Sequence, residues 1–200
     1  MAYSPVTWNT TNNVNCSINN TTGTVTGFSA STFSSVAQTT DTFGSGNQIK
    51  ITGWTADDQV VGLGHDPFII SGSNQYSSVE FGVNFVGGQF HIYETGSYVA
   101  SQSGSTSDYI EILNDNGTIK YYQNGTLWHT STQSPTGTLY GHCALRHASS
   151  ITCEIDTVST GGGGSGGGSG GSGGSGGNDV IQGEGNYIDH ILYMQTVVPR

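Results

Sequence analysis

Two Asn-Gly pairs, Asn116-Gly117 and Asn124-Gly125, stand in a run of β-branched and aromatic side chains between residues 108 and 130. A two-residue hairpin turn of the I′ type needs positive φ at both central positions, which Asn and Gly adopt at least cost. The stretch is therefore expected to fold as three antiparallel strands. Such turns also fix register, because they decide which residues face each other. The first sets Asn114 opposite Ile119 and Ile112 opposite Tyr121; the second sets Tyr121 opposite Trp128 and Ile119 opposite Thr130. Both then place Ile110, Ile112, Ile119, Tyr121 and Trp128 on one face, as core. Tyr109, Glu111, Leu113, Lys120, Tyr122, Leu127 and His129 fall on the other, with Lys120 one diagonal step from Glu111.

A second hairpin reads the same way. Val79, Phe81, Val83 and Phe85 alternate with Glu80, Gly82 and Asn84, and Gly87-Gly88 makes a two-residue turn. That turn sets Phe85 against Phe90 and Val83 against Ile92. Elsewhere Val6-Thr7-Trp8 reads as an opening strand, residues 9–42 as a polar stretch with one or two short strands, and residues 48–54 as a strand broken at Gly53. Residues 60–64, 139–145 and 151–158 follow as further strands. Helical periodicity is absent, and turn signals recur between short strands, so the pattern points to a sandwich or barrel. Residues 1–158 are expected to form one domain, a size that supports a real core.

Charged residues make up 9% of the chain, and the net charge is −10 with only Lys50, Lys120, Arg146 and Arg200 positive. Phosphate contacts need clustered Lys and Arg, so nucleic-acid binding is excluded as a function, and adsorption to anionic membranes is disfavoured. No apolar run is long enough for a membrane helix. The first residues lack a basic region and an apolar h-region, so no secretory signal is expected there. Export would run by another route, such as within a virion or by lysis, or follow removal of a signal. Cys16, Cys143 and Cys153 are too few for a disulfide framework. Cys143 and Cys153 sit symmetrically about Ala148, so a hairpin there would allow a cross-strand bridge; two buried free thiols are the default alternative.

Residues 161–177 are built only from Gly and Ser. Such a segment has no apolar area to offset its ordering entropy and should behave as a coil spanning roughly 20–25 Å. It reads as a loop or linker over residues 159–178, either natural or inserted. Beyond it, residues 187–198 are apolar on both faces, as an internal strand would be, and must pair with something.

Ile92-Tyr93-Glu94-Thr95-Gly96, Asp108-Tyr109-Ile110-Glu111-Ile112 and the run from Gly117 through Gly125 with Leu127 resemble the concanavalin A-like lectin and laminin-G jelly-roll superfamily. They look most like the variants of phage and other viral fibre or capsid-associated proteins and of bacterial surface proteins. The similarity covers roughly residues 60 to 158, and its motifs form hairpins, so it speaks for fold more than activity. It implies that the first and last strands lie side by side. Ile188-Asp189-His190-Ile191-Leu192-Tyr193 looks like the superfamily's closing strand, which would bring residues 179–200 against Val6-Thr7-Trp8. The rival has residues 151–158 closing the sandwich and residues 179–200 as a tethered tail for a neighbouring copy.

Glycan-cleaving members carry Glu-x-Asp-x-x-Glu on one strand. The nearest match here, Glu154-Ile155-Asp156-Thr157-Val158-Ser159, ends in Ser where the second acid should be. No Ser-His-Asp constellation or zinc-type Cys/His spacing accompanies it, so the chain reads as non-enzymatic. Lectins of this class often hold calcium through loop acids. Asp57, Asp58 and Asp66, with Asn114-Asp115-Asn116, are candidates without a diagnostic spacing. Sugar recognition needs an exposed aromatic plane beside amide, hydroxyl or carboxylate groups. Trp54 next to Asp57 and Asp58, the His65-Asp66 turn, and Tyr122 with Lys120 and His129 are candidates. Against them, a Trp at a strand end usually plugs the core, and an outward Tyr is common on sheets. Six Asn-x-Ser/Thr sequons, at Asn9, Asn15, Asn19, Asn20, Asn116 and Asn124, are about what the abundance of Ser and Thr gives by chance.

The expectation is a jelly-roll β-sandwich acting as a lectin-like binding module on a virion, fibre or cell surface. It would contact glycans and assemble with its own copies or other surface proteins. The rival is a capsid- or filament-building subunit without ligand.

Overall fold

The computed structural model describes residues 2–28, 32–55, 58–65 and 79–157. These hold fourteen strands: β1 (Ser4–Pro5), β2 (Cys16–Asn19), β3 (Thr24–Gly27), β4 (Ser35–Thr42), β5 (Asn47–Thr52), β6 (Gln59–Gly64), β7 (Phe81–Val86), β8 (Gln89–Glu94), β9 (Ser97–Ser103), β10 (Ile110–Asp115), β11 (Thr118–Gln123), β12 (Thr126–Thr130), β13 (Tyr140–Leu145) and β14 (Ser150–Thr157). One sheet has eight strands in the order β12-β11-β10-β5-β14-β3-β2, with β1 also against β14; the other has six, β4-β13-β6-β7-β8-β9. The strands pair antiparallel, and the two sheets form the expected all-β jelly-roll sandwich.

Alternation explains the core. Ile49, Ile51, Ile110, Ile112, Ile119, Tyr121, Ile151 and Cys153 point inward from the eight-stranded sheet and are fully buried. Val61, Leu63, Phe81, Val83, Phe90, Ile92, Cys143 and Leu145 meet them from the six-stranded sheet. Each such side chain contributes about 1.5–3 kcal/mol through burial. A second cluster, Val36, Val60, Val79 and Ala144 with Val14 and Phe33, lies on the outer face of the six-stranded sheet. Gly62 holds its place in this sheet without a side chain, because a Cβ there would lie 2.0 Å from the Phe81 carbonyl oxygen.

The first Asn-Gly turn has the expected register, with Ile112 opposite Tyr121 and Asn114 opposite Ile119. The Gly-Gly turn likewise sets Phe85 against Phe90 and Val83 against Ile92. The second Asn-Gly turn departs from expectation after two pairs. Gln123 faces Thr126 and Tyr122 faces Leu127, but the ladder then shifts by one, so His129, not Trp128, stands opposite Tyr121. This β-bulge adds an unpaired residue at Trp128 and turns His129 to the inner side, against the outward placement expected for it. Trp128 stays half-buried against the core. Lys120 also chooses a different partner, Asp115 at 2.6 Å instead of Glu111, because Asp115 lies across the same tight turn.

Cys143 and Cys153 are free thiols on different sheets, not neighbours in a hairpin. The chain between them crosses from β13 to β14 through His147 at φ +60°, so the hairpin that would set them opposite each other in one sheet is not formed. The opening strand lies beside β14: Ser4 faces Ile155, and the Val6 N–H donates to the Cys153 carbonyl at 3.2 Å. Trp8 forms a bridge to Thr39. The Gly/Ser stretch 159–178 and the closing strand expected in residues 179–200 lie outside the described residues.

Candidate functional site

On its outer face the six-stranded sheet carries two rows set by register. One runs Val60, Asn84, His91, Ser101; the next runs Gly62, Gly82, Tyr93, Tyr98. The space left by Gly82 is filled by the Val79 side chain, whose Cγ1 would lie 2.8 Å from a Cβ there. Tyr98 is 56% exposed, and its ring centroid lies 6.0 Å from those of both Tyr93 and His91. A bulge sharpens this arrangement. The Thr95-Gly96 turn sets Tyr98 opposite Tyr93, after which Val99 is the extra residue and the ladder resumes with Ala100 opposite Ile92. Ser101 is thereby placed opposite His91, where its hydroxyl takes a hydrogen bond from the Tyr98 hydroxyl at 3.0 Å. An unbroken ladder would put Ala100 there, a residue with nothing to offer a polar ligand.

Beside the aromatic array is a cavity of about 160 Å³ lined by Phe33, Asp58, Val60, Val79, Asn84, Tyr93 and Gly96. Its apolar side comes from Val60, Val79 and Phe33, which belong to the outer hydrophobic cluster. Its polar side has two features. The Asn84 Oδ1 is buried with no hydrogen-bond partner among the described residues. Asp58 is fixed by its backbone N–H on the Phe85 carbonyl at 2.8 Å and by an ion pair with the Arg146 guanidinium. The site thus combines aromatic planes, an unpartnered carbonyl acceptor and an anchored carboxylate, the set that hydrogen-bonds and stacks a neutral polar ligand.

Of the residues singled out from sequence, Asp58 alone is brought to this cavity. Trp54 is 2% exposed and packs in the core, its ring 5.1 Å from Phe90 and 6.1 Å from Phe85. It offers no surface plane, because the strand ends at Gly53 and the chain turns inward there; the candidate is corrected. His65 pairs through Nδ1 with Glu80 at 2.6 Å. Tyr122 lies on the outer face of the other sheet, in a row that reads Leu127, Tyr122, Glu111, Lys50, Glu154. There Lys50 bonds Glu154 at 3.6 Å and sits under the rings of Tyr3 and Tyr109, 4.7 and 4.8 Å from their centroids. His129 faces the interior. Asp57 and Asp66 lie outside the described residues.

Among the described residues the loop acids and amides have other partners. Asp58 is bound to Arg146, Asp115 to Lys120, and Asn114 spends its amide on the Phe43 carbonyl at 3.0 Å and the Gly117 N–H at 2.9 Å. Among the described residues no three His, Cys, Asp or Glu side chains are grouped to hold a metal ion. Sequence reasoning missed Tyr93, Tyr98, His91 and Asn84. Tyr93 was visible inside a motif, but the bulge at Val99 leaves no trace in the alternation of residues 97–103.

No family model and no curated protein matches the sequence. Solved structures do match in fold. The TRIM65 PSpry domain superposes with a TM-score of 0.59 at 9% identity, covering 75% of this chain and 89% of that one. The SPRY domain of human HERC1 gives 0.53 at 16% identity, over 76% and 99%. Stonustoxin gives 0.56 at 11% identity over 76% of this chain, which spans only 27% of the toxin chain. None of the three is a viral or phage fibre protein, so they lend no support to that part of the resemblance. The chain shares the concanavalin A-like jelly-roll sandwich of SPRY domains, a likeness of fold.

Proposed function

We propose that the chain is a non-enzymatic binding module whose recognition surface is the outer face of the six-stranded sheet. The observation that carries the reading is the Tyr93–Tyr98–His91 array standing beside a cavity with the unpartnered Asn84 carbonyl. The ligand class that suits this set is a glycan: a sugar ring stacks on a Tyr plane while a hydroxyl donates to Asn84 Oδ1. On this reading the module works where glycans are displayed, outside the cell. A protein surface is the second ligand class, supported by the likeness to SPRY domains.

A broad glycan array probed with the full chain tests the reading. Binding that is lost in Tyr98→Ala and in Asn84→Ala, with both variants folded, supports a glycan site on this face. A blank array with folded protein sinks the glycan class. Release of reducing sugar from any polysaccharide would overturn the non-enzymatic part.

A further inference from the structure

One register row of the recognition face has polar groups at both ends. Asn84, His91 and Ser101 stand opposite one another across β7, β8 and β9. Neighbouring strands are roughly 4.8 Å apart, so two spacings, about 10 Å, separate Asn84 from Ser101, with His91 between them. The two ends differ in chemistry. Asn84 lines the cavity and offers the acceptor Oδ1, buried and without a partner among the described residues. Ser101 is exposed, and because its oxygen accepts from the Tyr98 hydroxyl at 3.0 Å, its own proton is left to donate outward. The Tyr98 ring, more than half exposed, stands 6.0 Å from that of His91 and supplies an aromatic plane beside this end.

We propose that this face takes an extended, neutral, β-1,4-linked oligosaccharide of at least two pyranose residues, laid across the strands from the cavity to Ser101. The inference rests on the reading of the face as a glycan site and adds the length and linkage of the glycan. A pyranose residue in an extended β-1,4 chain advances by about one strand spacing. One residue therefore reaches Asn84 or Ser101 but not both; two residues reach both. The first sits at the cavity mouth, where a hydroxyl donates to Asn84 Oδ1 and the apolar side of the ring meets Val60 and Val79. The second stacks on Tyr98 and accepts from the Ser101 hydroxyl. Linkage follows from the straight row. β-1,4 links hold successive rings in a ribbon that stays against the sheet, whereas α-1,4 links curl the chain away from it. Asp58, the charged residue of the cavity lining, is already paired with Arg146, so the site asks for no charge on the ligand. β9 is the edge of its sheet, so a third residue passes beyond Ser101 and off the last strand.

The test is an NMR titration of the full chain with cello- and chito-oligosaccharides of one to three residues, and with malto-oligosaccharides, which differ from the cello series in linkage alone. In a β-linked series the step from one residue to two should raise affinity at least about tenfold, and the third residue should add little. The malto series should bind at least about tenfold more weakly than the β-linked one. Ser101→Ala, an exposed change on an edge strand, should cost the disaccharide about tenfold and leave the monosaccharide unchanged, whereas Asn84→Ala should weaken both. The proposal is overturned if a monosaccharide binds as tightly as its disaccharide, if the malto series matches the β-linked one, or if Ser101→Ala leaves disaccharide affinity intact. Binding of some other glycan on the array with neither β-linked series bound also overturns it, and leaves the glycan site standing. A blank array removes both.

Discussion

His129 stands opposite Tyr121, in the place an unbroken ladder would give to Trp128. One residue's slip exchanges a large apolar ring for a polar one inside the sandwich, and the interior next to Glu94 gains a hydrogen-bonding face in place of a sealed one. Burial, and then the neighbouring Glu94 carboxylate, hold the Tyr121 phenol well above its ordinary value.

Tyr98→Ala is expected to leave stability within about 0.5 kcal/mol of wild type, because the side chain is more than half exposed and sits on an edge strand. Ligand affinity should fall by at least about tenfold, as for an aromatic anchor in a binding face. Thermal melts and binding isotherms on one preparation separate the two effects. Equal losses of stability and affinity would move Tyr98 from the site to the scaffold.

The thiols give a pH prediction. Burial pushes Cys143 and Cys153 well above the ordinary thiol value of 9.0, and pushes Cys16 up to about 11. The folded state thus keeps these protons at pH values where the unfolded chain releases them. The contribution to stability is fully present below pH 9 and is lost progressively as pH rises above it. Melting temperature should fall between pH 9 and 11. At pH 8, all three cysteines should resist a thiol reagent until the chain is unfolded, with Cys16, the one part-exposed thiol, first to react on mild destabilisation.

The two Asn-Gly turns should respond unequally to mutation. Asn116 and Asn124 have φ of +52° and +51°, so replacement by Ala costs about 1 kcal/mol at each from backbone strain. Asn124 also accepts from the Tyr109 N–H at 3.0 Å and donates to Asp108 at 2.8 Å, tying the turn to the start of β10. Asn116 instead accepts from the Ser45 hydroxyl at 2.8 Å and donates to Asp115 at 3.2 Å, bonding no backbone group of a strand. Chemical denaturation should show Asn124→Ala as the costlier change, and a reversed order would mean the Asp108 bonds contribute nothing.

What could be read from sequence was whatever local chemistry dictates. Asn-Gly and Gly-Gly turns fix register over the residues next to them, so the pairs Ile112–Tyr121 and Phe85–Phe90 were legible. The bulges at Trp128 and Val99 were not, because a single extra residue depends on how the far end of a strand packs, several pairs from the turn. The site went with them: its polar and aromatic members gather through register across four strands. Trp54 failed as a ligand residue for the opposite reason. Its neighbours in sequence are polar, while its neighbours in space are Phe85 and Phe90.

The position of β14 sets the order in which this sheet can be built. It lies between β5 on one side and β3 with β1 on the other, so β12-β11-β10-β5 and β3-β2 belong to one sheet only through it. On a ribosome, the two parts emerge early and carry open edges until residues 150–157 leave the exit tunnel and slot between them. The sheet is therefore closed at its middle, after the parts on either side have been made. A chain stopped before Ser150 would expose both edges at once, making β14 the strand that keeps nascent copies from joining each other.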